Sequence, residues 1–218
     1  HYDVPRPSPT DKFVWSDLWR FDRSFWYLVG LCVTFYSVIF PFRSTFAIKY
    51  FQHAHGLSLQ DAGTMDGYVF LAAIFATPAF GLLVDKFGLL ADRAGHRAAF
   101  MAFGCFLLAA AFPILAYTDA NLWVSTVLIG IAFSLIPAVI WPAAAYLVEP
   151  HRLGTAYGLM VMVQAIGLTA INVVAGALND ANGASAENPG GYTSMLWLFL
   201  VISLFGFVFA FDLRMRET

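Results

Sequence analysis

The sequence predicts an all-α integral membrane protein built from six transmembrane helices, with both termini on the cytoplasmic side. Hydrophobic residues make up 60% of the 218-residue chain and charged residues only 12%, about half the charged fraction of an average soluble domain. Six apolar segments follow one another along the chain, each near the ~20 residues that cross the hydrocarbon core of a bilayer. Because unpaired sheet edges cannot exist in lipid, we interpret the segments as helices rather than strands.

The chain divides into a leading segment, a bundle and a tail. Residues 1–24 carry prolines at positions 5, 7 and 9 and then mixed aromatic and basic residues. This composition predicts a cytoplasmic tether followed by an interfacial segment in the headgroup region. A disordered leader is the alternative. Residues 25–211 form the six-helix bundle, and residues 212–218 form a cytoplasmic tail. The predicted spans are Phe25–Ile48, Asp66–Val84, Ala98–Tyr117, Trp123–Val148, Leu153–Leu178 and Ser194–Phe211.

The basic residues predict the orientation. With a cytoplasmic N-terminus, the inner sections hold ten Lys and Arg residues, and the outer sections hold Lys49 alone. Cytoplasmic sections of membrane proteins carry an excess of these bases. Both termini are therefore predicted to be cytoplasmic.

A charged, glycine-punctuated stretch separates the second and third spans. It reads Gly-x-x-x-Asp-(Lys/Arg)-x-Gly at Gly81–Gly88 and again at Gly88–Gly95. We predict a short cytoplasmic hinge whose charges pair with the cytoplasmic ends of the fourth and fifth spans in one conformation and separate in the other. Solvated surface charges that stabilise little are the alternative. The predicted gate residues are Gly81, Asp85, Lys86, Gly88, Asp92, Arg93, Arg97, Glu149 and Arg152.

Six spans with this loop after the second resemble one half of a major facilitator superfamily transporter. The run WPAAAYLVEPHRLGTAYG at residues 141–158 is similar to the passage between the fourth and fifth helices of the C-terminal half in the family of major facilitator superfamily domain-containing protein 1. FPF at residues 40–42 and GLLVDK at residues 81–86 are similar to that family too. The second loop copy, residues 89–97, departs from the family pattern, which leaves open whether Asp85 or Asp92 makes the expected inter-helix pairing.

The resemblance implies a secondary active or facilitative carrier that moves a small organic solute by alternating access. Animal relatives in the lysosome are associated with dipeptides, so peptides and other carboxylate-bearing solutes are one candidate class. The chain would then be a C-terminal half whose partner is a missing N-terminal six-helix half. Two alternatives stay open: a non-transporting membrane scaffold subunit with a half-carrier fold, and a half-size carrier that pairs with a second copy.

Ionisable groups within spans are costly, so each is a candidate functional residue. Arg43 lies in the first span, on the same helix face as Tyr36; it could grip a substrate carboxylate or extend to the outer headgroups. Asp66 begins the predicted second span, where it could pair with Arg43, accept a proton in a coupled carrier, or stabilise a helix start together with Asp61.

Polar and small residues of the fourth and fifth spans give further candidates. Gln164 is predicted to line the pathway with Trp141, which could stack on substrate or simply pack, and Asn172 either joins them or hydrogen-bonds a neighbouring helix. Gly154 and Gly158 are spaced for close helix packing.

The sequence offers nothing that favours an enzyme or a nucleic-acid-binding protein. It shows no nucleophile–base pair, phosphate-binding loop or metal-ligand cluster, so we predict no catalytic residue, metal or cofactor. His53 and His55 fit a solvated turn better than a metal site, since no third ligand is near in sequence. The net charge of −2 gives no reason to expect a nucleic-acid partner. The partners predicted are the bilayer, a small solute and a second six-helix unit, in a membrane that the sequence does not identify.

Overall fold

The structure, a computed structural model, describes residues 20–90, 95–117 and 122–217, without the side chains of residues 83–90, 95–97 and 216–217. Within these residues it is helical throughout and contains no strand. Six of its helical rods are long and apolar enough to cross a membrane, which confirms the prediction of six spans. The α-helices are α1 (Arg23–Pro41), α2 (Ala47–His55), α3 (Leu59–Leu90), α4 (Gly95–Tyr117), α5 (Leu122–Leu147), α6 (Leu153–Ala181) and α7 (Thr193–Glu217).

The first rod is one continuous helix of 33 residues, Arg23–His55. A five-residue π-helical turn, Phe42–Phe46, joins α1 to α2. The rod ends at Gly56, whose φ of 65° is a left-handed conformation that glycine adopts without steric cost. It therefore runs past the predicted end at Ile48, and His53 and His55 lie in a helix rather than in a solvated turn.

The second rod, α3, is longer than predicted at both ends. Its first turn is capped by Ser58, whose hydroxyl accepts from the Asp61 backbone N–H at 3.1 Å and donates to the Asp61 carboxylate at 2.7 Å. Asp61 thus lies in the first turn, and Asp66 lies well inside the helix, so the idea of Asp66 as a helix-start acid is wrong. At the other end, the backbone stays helical to Leu90, through much of the predicted hinge, because the leucines between the glycines favour helix.

The helices pack in a pattern that repeats after every three rods. α1 packs against α6 and α7, and α3 and α4 both pack against α5, while α4 and α7 pack against each other. If α1 is exchanged with α5, α3 with α6 and α4 with α7, the same pairs of packed helices result. Since a group of three spans ends on the side opposite to its start, the two groups run in opposite directions through the membrane, as in nested inverted repeats.

Burial differs sharply among the rods. Each rod has its own most apolar 18-residue window. In the first rod 67% of the residues of this window are buried, against 6% in α3 and 17% in α6. The core lies between α1, α4, α5 and α7, where the rings of Phe42, Phe112 and Phe199 meet edge to face or tilted. The corresponding rods α3 and α6 are therefore peripheral to this unit.

Candidate functional site

A buried ion pair joins the π-helical turn to α3. The Arg43 Nε donates to Asp66 Oδ1 at 3.0 Å, and its Nη2 donates to Asp66 Oδ2 at 3.0 Å and to the Asp66 backbone oxygen at 2.9 Å. Arg43 is 7% exposed. The alternative in which Arg43 extends to the outer headgroups is therefore wrong, and of the interpretations of Asp66, the structure shows the pairing with Arg43.

Aromatic rings surround the guanidinium. The Arg43 Cζ lies 4.0 Å from the ring centroid of Phe70 and 5.4 Å from that of Phe133, both within the range of a cation–π interaction. Phe70 follows Asp66 by four residues, so both side chains lie on one face of α3. Sequence reasoning missed both rings, although this spacing was available as a signal.

The pair borders an open pocket of about 220 Å³. Asp66 takes the Nε and Nη2 donors of Arg43, whereas Nη1 makes no hydrogen bond to any residue that the structure describes. Arg43 thus keeps one donor group, Nη1, that Asp66 does not occupy. The pocket is lined by Ile39, Phe40, Arg43, Ser44, Asp66, Phe70 and Phe133.

A hydrogen-bonded aromatic cluster ties α1, α5 and α6 together. Trp141 Nε1 donates to the Tyr36 hydroxyl at 2.9 Å, and the Tyr157 hydroxyl donates to the Trp141 backbone oxygen at 3.1 Å. The Tyr36 ring stacks on Phe40 with centroids 5.5 Å apart, so Phe40 connects this cluster to the pocket around Arg43. Trp141 packs against protein here, as the second interpretation of it predicted.

The two polar residues predicted on the fifth span bind locally. The Gln164 Oε1 lies 3.8 Å from the Cys32 Sγ, a weak hydrogen bond to α1. Asn172 donates to the Leu168 backbone oxygen in its own helix at 3.2 Å, and its buried Oδ1 has no hydrogen-bond partner in the described part of the chain. Neither residue hydrogen-bonds to the Arg43–Asp66 pair.

The predicted cytoplasmic gate is only partly described. The Glu149 carboxylate lies 3.3 Å from His151 Nε2 and 3.5 Å from Arg152 Nη1, within the turn before α6. Glu149 is well exposed, so these contacts are worth little individually. The remaining charged gate residues lie outside the described side chains: Asp85, Lys86, Asp92, Arg93 and Arg97, together with the glycine Gly88.

The glycines show where helices approach closely. Among the residues that the structure describes, a Cβ added at Gly81, Gly154 or Gly158 would meet nothing within 4 Å, so the packing role predicted for the last two finds no partner there. A Cβ at Gly167 would lie 2.6 Å from Ser37 Oγ. The close approach of α6 to α1 is therefore at Gly167.

The connection between α6 and α7 contacts the end of the first rod. The pKa of the fully exposed Glu187 carboxyl is lowered by hydrogen bonds from its own backbone N–H and from the Ser185 hydroxyl, with a smaller contribution from His53. His53 Nδ1 lies 2.7 Å from the Tyr192 hydroxyl. These contacts link the end of the first rod to the start of α7.

Known proteins resemble this chain in sequence and in fold. Residues 27–218 match the family model of the Major Facilitator Superfamily. The lysosomal dipeptide transporter MFSD1 of Gallus gallus is 33% identical over 171 residues, covering 77% of this chain and 36% of that protein; the Homo sapiens protein of the same name is 32% identical, covering 77% and 34%. The chain thus spans about a third of the length of these relatives. The crystal structure of a bacterial homologue of the human lysosomal transporter Spinster, inward-facing and unoccupied, superimposes with a TM-score of 0.67 at 15% identity, over 99% of this chain and 53% of that one.

Proposed function

The chain belongs to the Major Facilitator Superfamily, and on that basis we propose that it helps to carry a small organic solute across a membrane, as the C-terminal half of a larger carrier. The observation that carries this proposal is the Arg43–Asp66 pair, a charged site in an apolar span that borders an open pocket. Ionisable groups persist inside a membrane mostly where function requires them.

The substrate-binding group in this proposal is Arg43. Its Nη1 binds a carboxylate of the solute, while Asp66 keeps the guanidinium in place. Asp66 is also the candidate coupling residue, because protonating it would weaken its hold on Arg43 and free two more donors. The relatives named as dipeptide transporters make peptides the first solutes to test.

The geometry supports secondary roles for the other predicted residues. Tyr36 and Trp141 support the pocket through Phe40, and Gln164 and Asn172, both partly buried on α6, are further candidates to contact the solute. We keep the cytoplasmic gate as part of the proposal, with both termini cytoplasmic, residues 1–24 as tether and residues 212–218 as tail. The solute then reaches Arg43 from either side in turn, by alternating access.

The peripheral position of α3 and α6 supports a second six-helix unit. Their mostly exposed faces and the open flank at Gly154 and Gly158 leave room for close packing against further helices. The second unit is either the missing N-terminal half or another copy of this chain. The intact mass of the native polypeptide separates the two: about twice the 24.0 kDa of this chain supports the half, and a mass near 24.0 kDa supports the copy or a scaffold subunit.

The test is uptake of labelled dipeptides by liposomes that contain the complete native protein. Arg43→Lys should weaken uptake at normal expression, because a single ammonium cannot reproduce the planar fork that Asp66 holds. Lys49→Gln is the matched control, since it removes an exposed cation from the same rod. Equal uptake by the Arg43→Lys and wild-type proteins would exclude this role for Arg43.

The gate is tested separately. Asp85→Asn or Asp92→Asn should slow solute exchange without abolishing binding. A non-transporting scaffold subunit predicts instead that the wild-type protein moves none of the solutes tested, whatever residue is changed.

A further inference from the structure

Three rings form a cup on one side of the Arg43 pocket. Phe133 lies at its base and contacts Phe40 with centroids 6.1 Å apart and Phe70 with centroids 5.7 Å apart, in both cases edge to face. Phe40 and Phe70 both line the pocket, and they are 38% and 54% exposed, so part of each ring is accessible. We call Phe40, Phe70 and Phe133 the ring cup.

The ring cup adjoins a single oriented cation. Arg43 stacks on Phe70 and Phe133 but not on Phe40, and its Nη1 is the donor that Asp66 leaves unused. A solute that binds here therefore meets two different surfaces, a donor for a carboxylate and ring faces for an apolar group. Aromatic groups prefer the offset or edge-on contacts that such ring faces offer.

We propose that the ring cup is a specificity subsite that favours carboxylate solutes carrying a planar aromatic group over solutes carrying an aliphatic group of equal size. The carboxylate binds Arg43 Nη1 and the planar group lies between Phe40 and Phe70, against the edge of Phe133. This inference rests on the proposed function in that it assigns the Arg43 pocket to the solute. It adds the part of the solute that the protein distinguishes.

The test is binding of three probes to the complete native protein in nanodiscs, measured as the thermal stabilisation that each probe gives the protein. The probes are 3-phenylpropanoate, 3-cyclohexylpropanoate and 3-phenylpropanamide, which separate aromaticity from size and charge. We expect the phenyl acid to bind roughly 2- to 12-fold more tightly than the cyclohexyl acid, the preference that one added ring contact gives. The amide should bind more weakly than the phenyl acid, since it lacks the charge that Arg43 recognises.

The key variant is Phe40→Leu, because Phe40 belongs to the cup without contacting the guanidinium. Phe40→Leu should lose the preference for the phenyl acid over the cyclohexyl acid and keep the preference for the acid over the amide. Phe40→Tyr, which has a ring at this position, should again prefer the phenyl acid over the cyclohexyl acid. The control is Phe207→Leu, which removes a ring of similar exposure, 36%, from α7. If Phe40→Leu does not fold, Phe40→Tyr and the wild-type probe series still decide the question.

Three results would overturn the inference: equal binding of the two acids to the wild type, an aromatic preference that survives in Phe40→Leu, or equal binding of acid and amide. The binding assay does not depend on movement of solute. Binding with the expected preference but no uptake would therefore refute the proposed transport and support the ring cup.

Discussion

Removing one partner of the Arg43–Asp66 pair should destabilise the protein far more than removing both partners. In Arg43→Met, the Asp66 carboxylate loses both of its charged donors, each at 3.0 Å, in an apolar surrounding. Removing one partner of a buried pair costs about 3–5 kcal/mol, because the charge that remains is uncompensated. Loss of the stacking on Phe70 adds to this, at about 1–2 kcal/mol.

The double variant Arg43→Met/Asp66→Leu removes both charges and fills the space with apolar atoms. Such replacements of buried pairs are often neutral or stabilising, so only the lost stacking on Phe70 should remain. We expect the double variant to lie within about 2 kcal/mol of the wild type, whereas the two single variants together should lose about 7 kcal/mol or more, so the coupling energy between the two positions should be at least about 5 kcal/mol.

The assay is reversible unfolding of the four proteins of this cycle in mixed micelles. For a chain of this size, 1 kcal/mol shifts Tm by about 2–4 °C, so the total loss of about 4–7 kcal/mol in Arg43→Met should lower Tm by roughly 8–28 °C. The control is the pair Glu149–Arg152, 3.5 Å apart, in which the carboxylate is 61% exposed and whose coupling should stay below about 1 kcal/mol. A double variant as unstable as the sum of the two single ones would refute the reasoning, since it would mean that the charges act independently.

Three further predictions concern helix packing and the connection between α6 and α7. Trp141→Phe loses the hydrogen bond to Tyr36 and should lower the free energy of unfolding by about 0.5–1.5 kcal/mol. An unchanged free energy of unfolding would contradict this hydrogen bond. Gly167→Ala should be clearly destabilising in the same assay, because its Cβ would lie 2.6 Å from a side chain of α1. The control Gly158→Ala should be neutral or slightly stabilising in this unit. Equal effects of the two substitutions would contradict the close approach of α6 to α1 at Gly167. Because its pKa is lowered, the Glu187 carboxylate stabilises the connection between α6 and α7 fully above the ordinary value of 4.5, and this stabilisation is lost as the pH falls through the lowered pKa. Amide hydrogen exchange in this connection should become faster at low pH in the wild type and not in Glu187→Gln.

The six spans could be predicted from sequence because the length of an apolar run is a one-dimensional property. The ends of the rods were less predictable. The start of α3 depends on the Ser58–Asp61 cap, and it places Asp66 inside the helix. The apolar residues around Gly81 continue α3 into a stretch whose charges indicated a loop.

The pairing of Arg43 with Asp66 could be named from sequence only as one of several options. Whether two charged groups on different helices meet depends on the rotation and depth of both helices, which no local pattern specifies. The ring cup was not predicted at all. A phenylalanine such as Phe70 is an ordinary residue in a membrane helix, and only the packed structure shows that it covers a cation.

The π-helical turn at Phe42–Phe46 explains how one rod serves both the site and the core. Arg43 faces α3 and α5, whereas Tyr50 donates to the Leu115 backbone oxygen of α4. Seven residues of regular α-helix return to within about 20° of the starting direction, so an uninterrupted helix would turn Tyr50 toward the side that Arg43 faces. The extra residue of the π turn rotates α2 by about 100° relative to α1.

Deleting the exposed residue Thr45 should therefore close the turn into regular α-helix and move Tyr50 away from α4. We expect a loss of stability and of carboxylate binding together, since the turn positions both sides of the rod. Deleting Gln60, in the first turn of α3, is the control, because a deletion at a helix end can be absorbed by the preceding connection. If the Thr45 deletion keeps wild-type stability while the Gln60 deletion does not, the π turn is not what orients the rod.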